Sequence, residues 1–126
     1  MPVRGLDHVA ITCLDIEATL SFYKRVLGAT TLFEDEWRAG KIPVVLLEVG
    51  ESRMSIHDAA SPAKPHANLP TPGSEDVCFR FDGPIAEAQA QLAAESVEVI
   101  EGPVPRPAAD GTLGQSVYFR DPDGNL

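Results

Sequence analysis

Along residues 6–12, LDHVAIT, side chains alternate: Leu6, His8, Ala10 and Thr12 fall on one face, Asp7, Val9 and Ile11 on the other. This period of two predicts a strand. The period then lengthens. Ile16, Leu20, Tyr23 and Leu27 recur at helical spacing, Asp15 stands where an N-cap belongs, and Gly28 suits the left-handed residue that closes a helix. TTLFEDEW, IPVVLLEV and RMSIHDA follow as three strand candidates, the last two joined by a short turn containing Gly50. Residues 1–58 therefore read as β-α-β-β-β.

Residues 59–75 carry four prolines and little hydrophobicity, the composition of a surface connector. The pattern then restarts. DVCFRF alternates, with Val77, Phe79 and Phe81 opposite Asp76, Cys78 and Arg80; GPIAEAQAQLAAE reads as a helix with Pro84 at its first position; VEVIEG reads as a strand. GPVPRPAADGTLG reads as a loop leading to the strand QSVYFRD and to the tight turn DPDGN. Residues 76–126 repeat the element order of 1–58 up to the last strand, whose counterpart would fall just past Leu126.

Two such halves predict an α+β domain in which paired βαβββ modules form a curved mixed sheet around a cleft. If helices cover the apolar faces carrying Val9, Ile11, Val77 and Phe79, then His8 and Asp76, 68 residues apart at matching positions, turn into the cleft. His57 joins them in this reading, since Ser55 and His57 alternate against Met54 and Ile56.

Composition narrows the partners. The chain has 126 residues, 44% of them hydrophobic, enough for one core, and a formal net charge of −9. That charge argues against nucleic acid or an anionic membrane and toward a small molecule or a cation. No apolar run approaches a membrane span and the N-terminus lacks a signal profile, so the expected location is cytoplasmic. Cys13 and Cys78 are expected to be reduced thiols in or near the core.

GLDHVAITCLDIEATLSFYKRVLG and SVYFRDPDGNL, together with IHDA, PTPGSEDVCF and EGPVPR, resemble the vicinal oxygen chelate superfamily, which includes glyoxalase I, extradiol dioxygenases and fosfomycin- and bleomycin-resistance proteins. The likeness is closest to small glyoxalase domain-containing, lactoylglutathione lyase-like proteins. It implies a divalent metal in the cleft, with ligand roles falling on His8, His57 and Asp76 and a glutamate ligand two residues past Leu126. Imidazoles with carboxylates suit Zn, Ni, Co, Mn or Fe.

Such an ion implies a glyoxalase-type lyase or isomerase acting on a small carbonyl compound or its thiol adduct, or an Fe(II) extradiol-type dioxygenase. The resemblance also allows a metal-free binding or resistance protein. Asp76 is a ligand or an acceptor that orients a water or His8. Arg106 meets a substrate carboxylate or is a solvated loop residue, and Tyr118 lines the pocket or packs. Glu48 is a cleft or an exposed strand carboxylate, and His66 and the FEDEW acids are expected to be solvated. Small members of the family commonly pair, so a homodimer is expected, with the 59–75 connector long enough to exchange halves.

Overall fold

The computed structural model describes residues 1–126. The first half contains β1 (Val9–Cys13), α1 (Ile16–Leu27), β2 (Thr30–Leu32), α2 (Glu34–Arg38), β3 (Val45–Val49) and β4 (Ser52–Asp58); the second contains α3 (Ile85–Ala94), β5 (Glu101–Pro107) and β6 (Leu113–Tyr118). The first sheet runs β1-β4-β3-β2 and is mixed, with β1 parallel to β4 and the other neighbours antiparallel. β5 and β6 form an antiparallel pair. The architecture is that of the expected βαβββ modules.

α1 forms where its spacing predicts. Asp15 accepts from the Ala18 N–H, which would otherwise lack a partner, and Gly28 ends the helix at φ 65°. The helix buries Ile16, Leu20, Tyr23 and Val26 against Ile11, Cys13, Val45, Leu47, Met54 and Ile56 of the sheet, and Leu92 of α3 completes the cluster. Each fully buried aliphatic side chain here contributes about 1.5–3 kcal/mol.

Four expectations are corrected. TTLFEDEW is not one strand: after β2 the chain turns at Phe33, φ 64°, into α2. Glu34 explains the turn, accepting from Lys24 at 2.7 Å, Thr31 at 3.0 Å and Arg38 at 3.0 Å, contacts that hold its carboxyl down to about 2. VEVIEG does not form the predicted strand over its length; β5 starts at Glu101 and takes in GPVPRP, the segment read as loop, so Arg106 lies in a strand. Residues 76–80 keep alternating exposure, Phe81 is exposed as well, and 76–81 belong to neither sheet. Their start is tied down by Leu126, whose N–H donates to Glu75 O and whose carbonyl accepts from Val77 N–H, the bonding pattern of a parallel pair. Lastly, Cys13 is buried as expected, but Cys78 is exposed.

The halves are joined through α1. Tyr23 Oη donates to Asp121 Oδ2 at 3.0 Å, and Asp123 accepts from the Leu14 N–H at 3.0 Å. Phe22 packs near Phe119 and Tyr23 near Phe79, at ring-centroid distances of 6.2 and 6.4 Å. Across the outside, Arg25 pairs with Glu95 at 3.0 Å. No helix is long and apolar enough to cross a membrane.

Candidate functional site

Alternation divides the first sheet. Ile11, Cys13, Val45, Leu47, Met54 and Ile56 belong to the core under α1. His8, Ala10 and Thr12 project the other way, as do Arg53, Ser55 and His57 of β4 and Leu46 and Glu48 of β3, because register sets Ala10 opposite Ser55 and Leu46 opposite Ser55. Glu48 faces Arg53 across the strands, with a contact of 3.4 Å. The face turned away from α1 is thus largely polar.

His8 sits just before β1, its side chain 46% exposed, with Nδ1 2.8 Å from Asp7 Oδ1. The hydrogen bond to His8 and its charge hold the Asp7 carboxyl below the usual range. With Nδ1–H donating to Asp7, Nε2 keeps a free lone pair, the arrangement by which a carboxylate orients a metal-binding imidazole. His8 also lines a cavity of about 300 Å³ with Arg53, Met54, Val77, Cys78 and Phe79. Asp76, exposed, immediately precedes that wall. The structure therefore brings residues from the start of each half, 6–9 and 77–79, to one cavity, with Asp76 outside its lining.

His57 lies elsewhere. Register sets it opposite Thr12, four residues along β1 from His8, or about 13 Å of strand. Its Nε2 is 3.1 Å from Ser55 Oγ, and burial, with smaller effects from His8 and His66, pushes the imidazole below the usual histidine range. No three His, Cys, Asp or Glu side chains gather closely enough to hold a metal ion. As a neutral imidazole with Nε2 unpaired, His8 has the donor chemistry a divalent cation takes, and Asp76 is exposed next to residues that line the same cavity. His66 is exposed in the connector, its Nδ1 2.8 Å from Ala67 O.

Arg106 and Tyr118, singled out separately from the sequence, come together on the second sheet. Val104 pairs with Ser116 and Arg106 with Gly114, so Arg106 shares a face with Ser116 and Tyr118. Its Nε donates to Tyr118 Oη at 3.2 Å, its guanidinium lies 5.9 Å from the ring centroid, and Glu101 approaches to 3.5 Å.

Sequence reasoning missed the polar knot beneath the DPDGN turn. Asp121 is 8% exposed, and its carboxylate accepts from Tyr23 Oη, the Asn125 side chain and the N–H groups of Asp123 and Asn125. A carboxylate with four donors is fully satisfied, which makes this a structural clasp. The signal was present, as Asp, Asp and Asn at fixed offsets, but it was read as local turn chemistry alone. A second cavity, about 330 Å³, opens beside this clasp between Phe22, Val97, Ile100 and Arg120.

Comparison with known proteins agrees with this architecture. Residues 5–126 match the Glyoxalase/Bleomycin resistance protein/Dioxygenase superfamily. The chain is 39% identical over 126 residues to the glyoxalase domain-containing protein RDO1 of Mycosarcoma maydis, covering 100% of this chain and 67% of that protein. Against the virulence protein STM3117 of Salmonella typhimurium identity is 35% over 126 residues, with 83% of that protein covered. The crystal structure of STM3117 superposes with a TM-score of 0.87 over 99% of this chain and 94% of that one. A lactoylglutathione lyase from Agrobacterium tumefaciens shares the fold at a TM-score of 0.68 and 24% identity, over 99% of this chain and 91% of that one. Spanning nearly its whole length, these matches show that the chain belongs to the glyoxalase/bleomycin resistance protein/dioxygenase superfamily.

Proposed function

We propose that the protein is a glyoxalase-type lyase or isomerase that acts, with a divalent cation, on a small carbonyl compound or its thiol adduct. The observation that carries this reading is the Asp7–His8 pair, which leaves one imidazole nitrogen unpaired on a residue that lines a cavity shared by the starts of both halves. His8 and Asp76 would hold the cation, drawn from Zn, Ni, Co, Mn or Fe, and the cation would polarise a substrate oxygen as a Lewis acid.

The chain's own residues supply the rest. Asp7 orients His8. Arg106, steadied on Tyr118, offers its remaining N–H groups to a substrate carboxylate, a useful anchor in a chain of net charge −9 that repels anions elsewhere. An Fe(II) dioxygenase would use the same donors. The alternative reading is a small-molecule binding or resistance protein that needs no metal. A homodimer fits both readings, with the 59–75 connector as the place where halves would exchange; light scattering on the purified protein tests it.

Metal analysis of protein purified without chelator decides between the readings. Stoichiometric divalent metal in the wild type and its loss in His8→Ala and in Asp76→Ala support the enzyme, and hemithioacetal turnover or iron-dependent oxygen uptake with catechols then assigns the chemistry. Metal retained in both variants would refute the proposed ligands.

A further inference from the structure

Ser55 and His57 project from β4 on the same side, two residues apart, with Oγ and Nε2 separated by 3.1 Å. Ser55 is only 4% exposed, and that ring nitrogen is its hydroxyl's single hydrogen-bond partner. A buried hydroxyl must place its proton on an acceptor, because leaving it unsatisfied costs about 1–3 kcal/mol. Nε2 is the acceptor within reach. Nε2 therefore uses its lone pair on Ser55, and a neutral ring must then carry its own proton on Nδ1.

We infer that Ser55 is a positioning residue that holds His57 as the Nδ1–H tautomer, making it a hydrogen-bond donor on the sheet face turned away from α1. In this form His57 has no nitrogen lone pair left for a cation. Its Nδ1–H is then the hydrogen the ring can donate to an acceptor oxygen on that face. Burial favours the neutral ring, in keeping with the lowered proton affinity of His57. The tautomer itself stands on the Ser55 contact.

Long-range nitrogen–proton NMR on uniformly ¹⁵N-labelled, metal-free protein reads the tautomer directly. The wild type should show a protonated Nδ1 and an unprotonated Nε2 for His57, and Ser55→Ala should shift the ring toward the Nε2–H form, with Ser55→Thr restoring it. A wild-type His57 protonated at Nε2 would overturn the inference, and this measurement needs neither a folded Ser55→Ala variant nor a known substrate. If the wild type shows the Nδ1–H tautomer but neither metal nor turnover, the enzyme reading falls while the tautomer assignment survives.

Discussion

Tyr23 and Asp121 lie 98 residues apart, yet the phenol donates to the buried carboxylate at 3.0 Å and ties α1 of the first half to the turn that ends the second. Burial and the nearby Asp121 charge push the Tyr23 phenol well above its usual range, so it stays a donor at any ordinary pH. The same carboxylate satisfies two N–H groups of its own turn and the Asn125 side chain. One acidic residue thus folds the turn and clamps it to the opposite half.

Removing the phenol hydroxyl should therefore cost more than an ordinary surface hydrogen bond. Tyr23→Phe keeps the ring in the core but leaves one site on a buried carboxylate unpaired, an expected loss of about 1–3 kcal/mol. Asp121→Ala, which strips all four donors of their acceptor, should cost more. Urea unfolding followed by circular dichroism measures both; a Tyr23→Phe variant as stable as the wild type would show that the clasp carries no energy.

Gly102 is a second point of strict geometry. It sits at the irregularity between Glu101 and Val104, at φ +100°, and a Cβ placed there would lie 2.3 Å from the Ser116 carbonyl oxygen on the paired strand. Gly102→Ala should strain the backbone and force β5 from β6, with a cost of roughly 1–3 kcal/mol. The unfolding midpoint should drop and the Ile100–Tyr118 amide bond should exchange faster. Wild-type exchange at Ile100 in the variant would contradict this.

These particulars show where the sequence was readable. Asp15, Gly28 and the helical spacing between them describe α1 fully because cap, period and stop are all local. The strand β5 was misread because Pro103, Pro105 and Pro107 argue against a sheet interior; they are tolerated since β5 pairs on one side only, with β6. The face to which His57 points was legible from alternation, but its distance from His8 was not, because the parallel register of β1 on β4 comes from tertiary pairing. Asp76 and its neighbours alternate as a strand should, and whether such a segment enters a sheet depends on its partner.

Arg106 and Tyr118 give a prediction about binding. Arg106 is exposed, so Arg106→Ala should change stability by no more than about 0.5 kcal/mol. A substrate anchored through its carboxylate should nevertheless bind roughly tenfold or more weakly, seen as a rise in KM or in the dissociation constant. Arg106→Lys should fall in between, since an ammonium cannot stack on the tyrosine while presenting paired donors. Equal affinity for all three proteins would remove Arg106 from the site.

The two cysteines should differ sharply in reactivity. Burial pushes the Cys13 thiol up to about 12 and hides it in the core, whereas Cys78 is exposed beside the His8 cavity. A thiolate reagent such as Ellman's should titrate one thiol per native chain and two after unfolding in guanidinium. Mass mapping should place the native adduct on Cys78. Rapid labelling of Cys13 in the native protein would mean that α1 separates readily from the sheet.

His57 should leave a mark on the pH dependence of stability. Its folded proton affinity is lowered, mainly by burial, while in the unfolded chain it titrates near about 6.5. In the window just below that value the unfolded chain binds a proton that the folded chain does not, so stability is complete above it and declines as pH falls toward the folded pKa. The depressed carboxyls of Asp7, Glu34 and Asp110 act on a lower range, below the ordinary carboxylate pKa values, and do not obscure it. Urea midpoints measured from pH 7.5 down to 5 should fall more steeply for the wild type than for His57→Gln. Parallel curves would mean that the His57 ring is as free to take a proton in the folded protein as in the unfolded chain.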